Sequence, residues 1–248
     1  MASFTPTVPA HHPTTSRGKR ADLPPVAGGG DGGRPDPGSP DYGGRLRRAR
    51  LGMAVALTPI AMLFVAFTSA YIVRQGLPTF DPNTNKVVHD WIPVPLPTIL
   101  FLINTCVLLL SSVTIEFARR QLARQVALEP VQSIPGVSLG RERKFPWLAL
   151  TIVLGFSFLG GQWLAWSDLA ERGFYVATGP SSSFVYLLTG THAVHLFGGI
   201  IALLVAGLSV VLNRPLPSRR IVVDVTAWYW HFMALLWIYI LALLEFAH

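Results

Sequence analysis

Five stretches of this chain, roughly 51–73, 96–118, 146–168, 184–211 and 221–246, are long and apolar, with only scattered charges. A hydrocarbon core of about 30 Å is crossed by about 20 apolar residues in a helix, with every backbone group paired inside the segment. Five such stretches in 248 residues leave little chain for a soluble domain. The composition agrees: 51% of residues are hydrophobic and 13% charged, about half the charged fraction of a soluble protein. The fold expected is therefore all-α, a polytopic membrane protein built as a bundle of five transmembrane helices.

The chain divides into two parts on composition. Residues 1–44 are rich in Pro, Gly, Ser and Asp, with a low-complexity run over 28–33. A segment so poor in apolar side chains cannot offset the entropy of ordering itself, which predicts a disordered tail. Residues 45–248 form the membrane domain. Its first apolar stretch begins near Leu51, too far in and too long for a signal-peptide core, so it is expected to remain in the mature protein. The lone cysteine, Cys106, lies in an apolar run and reads as an inert small hydrophobe.

Charge fixes an orientation. Eight cations precede the first span, six follow the second and three follow the fourth, against Arg74, Lys86 and Arg172 on the other side. Cationic residues collect in cytoplasmic loops, so the N-terminus is expected inside and the C-terminus outside. The net charge of +7 has the same origin, and no soluble basic domain is present to bind nucleic acid.

Ionisable side chains at bilayer depth cost roughly 2.5–3.5 kcal/mol each, so those that persist need partners. Here they are Glu116 near the inner end of the second span, His192 and His195 in the fourth, and Asp224 and His231 in the fifth. Asp168 and Glu245 stand near outer ends, where water reaches. His192 and His195 are three apart and share a helix face. His195 and His231 both count to mid-depth, and His231 closes a dense run with Trp228, Tyr229 and Trp230. Gly190, Gly198 and Gly199 would admit a neighbouring helix closely.

Two readings of the histidines stand at this point. One is a haem or metal site made from His192 or His195 with His231. The other is hydrogen bonding between helices or to a lipid head group, which the ligand set favours, since no carboxylate or thiolate sits beside the imidazoles. Of seven histidines, His11, His12, His89 and His248 fall outside the spans. The remaining three cannot hold two haems and a copper, and one cysteine cannot make a two-thiolate copper centre. Phosphate loops, nucleophile triads and dinucleotide fingerprints are lacking as well. A secondary transporter would carry internal repeats and broken helices, and neither is visible.

Several segments, in this order and spacing, resemble one family. They are Leu51-Gly52-Met53 with Phe64 and Tyr71-Ile72-Val73-Arg74; Asn104-Thr105 through Ser111-Ser112; Leu154-Gly155 with Gln162; Thr189-Gly190-Thr191-His192-Ala193-Val194-His195 with Gly198-Gly199; and Trp228-Tyr229-Trp230-His231-Phe232 with Trp237. This is similar to subunit III of haem–copper oxidases (cytochrome c oxidase), in the five-helix bacterial form that lacks the first helix pair of larger members. The likeness covers Leu51 to Phe246.

The resemblance implies an accessory, non-catalytic subunit of a respiratory terminal oxidase that reduces oxygen to water and translocates protons across the bacterial inner membrane. The chain would hold no redox cofactor; haems and copper belong to partner subunits. It would pack mainly on subunit I, with subunit II and a small subunit IV in the same complex, and would bind structural phospholipids. The polar cluster expected to serve lipid or subunit contacts is Glu116, His192, His195, Asp224, Trp228, Trp230 and His231. Three positions depart from the family's pattern: Ile60, Ala165 and Ala234 stand where many members carry a carboxylate, so the resemblance carries over no proton role at these positions. A homologous subunit of a nitric oxide reductase, a small membrane transporter and a haem b protein using His195 and His231 are the rival readings.

Overall fold

The computed structural model describes residues 42–81, 85–88, 91, 94–132, 146–212 and 215–246. The tail up to residue 41, His89, His248 and most of the connection after the second span lie outside the described residues. Among the described residues there are five helices: α1 (Tyr42–Gly76), α2 (Thr98–Gln132), α3 (Trp147–Glu171), α4 (Pro180–Val211) and α5 (Leu216–Phe246). All five are long and apolar enough to cross a membrane. The protein is a five-helix membrane bundle, as its apolar stretches predict.

The helices overrun the apolar stretches, chiefly at the Arg-rich end. α1 and α2 have 35 residues each, about 52 Å at 1.5 Å per residue, well beyond the hydrocarbon core. Hydropathy marks where the membrane begins, not where hydrogen bonding stops. Arginine and alanine are good helix formers, so Arg45–Arg50 and Arg119–Arg124 continue the helices into the polar region.

Local sequence explains two of the ends. α3 stops at Gly173, whose φ of +84° suits a residue without a Cβ. Gly173 N–H donates to Ala170 O and Phe174 N–H to Leu169 O, the paired bonds of a Schellman cap. α4 starts at Gly179-Pro180, where Ser182 Oγ accepts from Gly179 N–H at 3.2 Å and donates to Tyr175 O. Proline at the first helical position has no N–H to leave unpaired. Between α1 and α2 a small antiparallel hairpin, β1 (Thr79–Asp81) and β2 (Lys86–Val88), adds a feature hydropathy does not signal. Arg74 ties it to α1, donating to Thr79 Oγ1 at 2.9 Å.

Helix α5 is the pillar of the bundle. It packs against α1, α2 and α4, while α3 lies on α2 and α4. The main core runs along it: Trp230, Met233, Trp237 and Ile240 are fully buried among Phe101, Leu108, Phe158, Leu196 and Ile200. α1 is the least enclosed helix and presents Val55, Met62, Val65 and Ile72 outward.

Candidate functional site

The aromatic and polar run of α5 is spent on its neighbours. Trp230 Nε1 donates to Ser111 Oγ and Trp237 Nε1 to Thr105 Oγ1, both on α2 at 2.9 Å. Tyr229 Oη donates to the His195 carbonyl of α4 at 2.8 Å, and Tyr239 Oη to Thr68 Oγ1 of α1 at 2.9 Å. The Trp230 indole is wedged between two glycines. A Cβ on Gly155 of α3 would meet its Cη2 at 2.9 Å, and one on Gly199 of α4 would meet its ring at 3.3 Å. Inside a membrane, where helices gain little from the hydrophobic effect, such close packing and interhelical bonds supply the cohesion.

At the Arg-rich end an ion network joins α1, α2 and α5. Arg50 of α1 grips Asp224 of α5 with both prongs, Nε to Oδ2 at 2.7 Å and Nη2 to Oδ1 at 2.8 Å. Arg119 of α2 reaches the same carboxylate at 3.2 Å and pairs with Glu116 at 2.8 and 2.9 Å. Arg120 adds a 2.7 Å bond to Glu116. His231 Nε2 lies 3.7 Å from Glu116 Oε2, while its Nδ1 shares a 2.7 Å hydrogen bond with Ser112 Oγ. Bidentate, charge-assisted pairs of this kind are the strong class of hydrogen bond, and Asp224 needs them because it is buried. The Arg50 guanidinium also stands 5.9 Å above the exposed Trp228 ring.

The candidate residues thus fall into separate groups. Glu116, Asp224, Trp228 and His231 come together in the ion network. Trp230 is in the core. His195 faces α1, its ring 6.0 Å from Phe64 and its Nδ1 2.8 Å from the Thr191 carbonyl. His192 is fully buried on the other side, stacked at 5.2 Å on Trp237 and 6.0 Å from Phe158. Successive helical residues turn by about 100°, so an i, i+3 pair diverges by about 60°, enough to send these two imidazoles to different neighbours. Among the described residues, His, Cys, Asp and Glu side chains do not gather in threes to hold a metal ion. Neither ring nitrogen of His192 nor either amide atom of the buried Gln162 finds a partner among the described residues.

Nearer the other end, Asp168 pairs with Arg172 at 2.7 Å, and Glu245 lies 3.5 Å from Thr98 Oγ1. Sequence reasoning named Ser112 and Trp237 only within the segments that carry the resemblance, and singled out none of Arg50, Arg119 and Arg120 as site residues. The two arginines three and four residues beyond Glu116 were legible as helix-face partners. Arg50 and Asp224 are 174 positions apart, and nothing local links them.

Fold and site together define a multi-pass membrane subunit whose intramembrane polar groups mostly cross-link its own helices. The family of cytochrome c oxidase subunit III matches residues 46–246. The cytochrome c oxidase subunit 3 of Danio rerio is 30% identical over 196 residues, 77% of this chain and 66% of that protein. That of Branchiostoma lanceolatum is 30% identical over 199 residues, 79% and 68% of the two chains. The subunit 3 of Corynebacterium diphtheriae is 27% identical over 209 residues, 83% of this chain and 93% of that one. The chain spans about two thirds of the length of the animal relatives and nearly all of the bacterial one. It belongs to the cytochrome c oxidase subunit III family.

Proposed function

We propose that the chain is the accessory subunit III of a respiratory haem–copper oxidase in a bacterial inner membrane. It packs on subunit I beside subunit II and, where present, a small subunit IV, in the complex that reduces oxygen to water and translocates protons. It binds no redox cofactor itself. Its N-terminus faces the cytoplasm. The observation that carries this reading is the family match across all five helices, together with a bacterial relative of similar length, 93% of which is covered.

A structural lipid role has its own support. An apolar recess of about 510 Å³ opens between α1, α4 and α5, lined by Met53, Gly198, Ala202, Val222 and Tyr229 among others. Ala49, which also lines it, precedes Arg50. An acyl chain fits such a lining, and cations close to the membrane surface suit an anionic head group.

The test is purification of the tagged chain in mild detergent, followed by mass spectrometry of co-purifying proteins and lipids. Oxidase subunits I and II in stoichiometric amounts are the expected result. Recovery with nitric oxide reductase subunits, or of the chain alone with a haem of its own, would refute the proposal.

A further inference from the structure

Among the described residues, two buried polar side chains in the interior of α3, α4 and α5, Gln162 and His192, have no hydrogen-bond partner. Trp166 Nε1 donates to Thr189 Oγ1 at 3.1 Å, which sets the register of antiparallel α3 and α4. One turn further along the same faces stand Gln162 on α3 and His192 on α4, and one more turn brings Phe158, whose ring is 6.0 Å from the His192 ring. Gln162 therefore lies on α3 between the residue that bonds Thr189 and the residue that touches His192. Gln162 is 1% exposed and His192 0%, and Nε2, Oε1, Nδ1 and Nε2 are all buried without a hydrogen-bond partner.

The surroundings offer no substitute. Phe158 and Trp237 present ring carbons to His192, and the Trp237 indole N–H is already committed to Thr105. Ala165 on α3 and Ala234 on α5, each three positions along its helix from Gln162 and Trp237, are buried and bring only methyl groups. Counting from the helix ends, His192 is about 18 Å along α4 and Gln162 about 14 Å along α3, so bulk water does not reach either. Buried polar groups are almost always paired, with protein or with ordered water.

A direct Gln162–His192 contact would not close the account. A neutral imidazole has a donor on one nitrogen and an acceptor on the other, pointing apart, and one amide cannot serve both. The amide in turn has two donor hydrogens and an acceptor oxygen. A water molecule, with two hydrogens to give and two lone pairs to accept, fits both groups, and sites of this kind hold water through two to four such bonds.

We propose that Gln162 and His192 form an internal hydration site between α3, α4 and α5, holding at least one water molecule at mid-bundle. The ligand class is water itself, bound by the imidazole and the carboxamide together. The site goes beyond the subunit III assignment and does not depend on which oxidase the chain serves.

The test is water-edited solid-state NMR on the full chain with whatever subunits co-purify, reconstituted in lipid and labelled with ¹⁵N-histidine. The His192 ring signals are assigned by their loss in His192→Phe, or in His192→Gln should the first variant not assemble. Magnetisation should pass from water to the His192 ring nitrogens at short mixing times and should weaken in Gln162→Leu. A His192 ring that receives magnetisation only from carbon-bound protein hydrogens would overturn the proposal. Transfer unchanged in Gln162→Leu would overturn the joint site. In a density map fine enough to show ordered water, a peak within hydrogen-bonding distance of both side chains is expected, and a dry contact between them is the contrary outcome.

Discussion

Two pairs of adjacent glycines provide a test of the packing in which neighbouring residues should behave oppositely. Gly160 is exposed, and a Cβ there would meet nothing within 4 Å; one on Gly161 would lie 2.2 Å from Asn104 Oδ1 and 2.9 Å from its Cγ. Asn104 is buried and donates from Nδ2 to the Phe158 carbonyl at 3.1 Å. Contact distances of about 3.5 Å require the amide to retreat by about 1 Å, which breaks that bond. Overpacking costs about 1–3 kcal/mol and an orphaned buried polar group about 1–3, against about 1 gained from alanine's helix propensity. Gly161→Ala should therefore destabilise by about 3 kcal/mol, while Gly160→Ala should be neutral or gain up to about 1 kcal/mol. The second pair repeats the contrast. A Cβ on Gly198 has only Tyr229 Oη at 3.9 Å, whereas one on Gly199 meets Tyr229 Cε1 at 2.9 Å and two Trp230 ring carbons at 3.3 Å. Neither ring is free to swing, because Tyr229 is anchored to the His195 carbonyl and Trp230 to Ser111. The assay is the temperature at which the chain leaves the detergent-solubilised complex, followed for all four variants. If both members of either pair shift it equally, the packing described between α2 and α3, or between α4 and α5, is wrong.

Asp224→Ala would leave Arg50 and Arg119 facing a vanished carboxylate. A fully buried pair broken this way costs about 3–5 kcal/mol; with the Arg50 side chain 41% exposed, about 2 kcal/mol is expected, read as earlier loss of the chain on heating, and an unchanged temperature would count against the network's role. His231→Leu removes the bond to Ser112, typically worth about 0.6 kcal/mol and at most about 2; it should lower retention of the chain in detergent while the complex's haem spectrum and initial turnover stay normal, and turnover lost from the first cycle with the chain retained would contradict this. A reporter fused after His248 should behave as periplasmic and one near Arg20 as cytoplasmic; the reverse would refute the charge-derived orientation.

Much of the fold was legible because the membrane allows so few solutions. Each apolar run of the right length had to be a helix, and each of the five found takes in nearly all of the run read. What escaped was what hydropathy does not encode. The Arg-rich ends of α1 and α2 remain helical in polar surroundings, and the hairpin between α1 and α2 has strands of only three residues. Among the glycines, proximity to histidines pointed to Gly190, Gly198 and Gly199, but only Gly199 sits at a close approach, and Gly155 and Gly161 do the same on α3. Which face of a helix a glycine occupies depends on the rotation of that helix, and adjacent positions differ by about 100°. Composition is blind to that angle.

The same rotation decides which candidate residues can meet a partner. Glu116 and Asp224 are held by arginines of the chain itself, Trp230 is enclosed, and His231 is bound to Ser112. His192 is sealed among Phe158 and Trp237, and His195 is turned to Phe64 of α1. A side chain whose polar atoms are saturated inside the bundle has little to offer across an interface, since unpairing it would cost what the new contact returns. Trp228 differs. It is 45% exposed, its ring face is occupied by Arg50, and an indole at the polar boundary of a membrane is suited to contact apolar and wet surroundings at once. Of the seven candidates it is the most exposed, with Arg50 fixed behind it by Asp224. The buried carboxylate thus acts on the exposed ring through the arginine it holds, which stands against that ring.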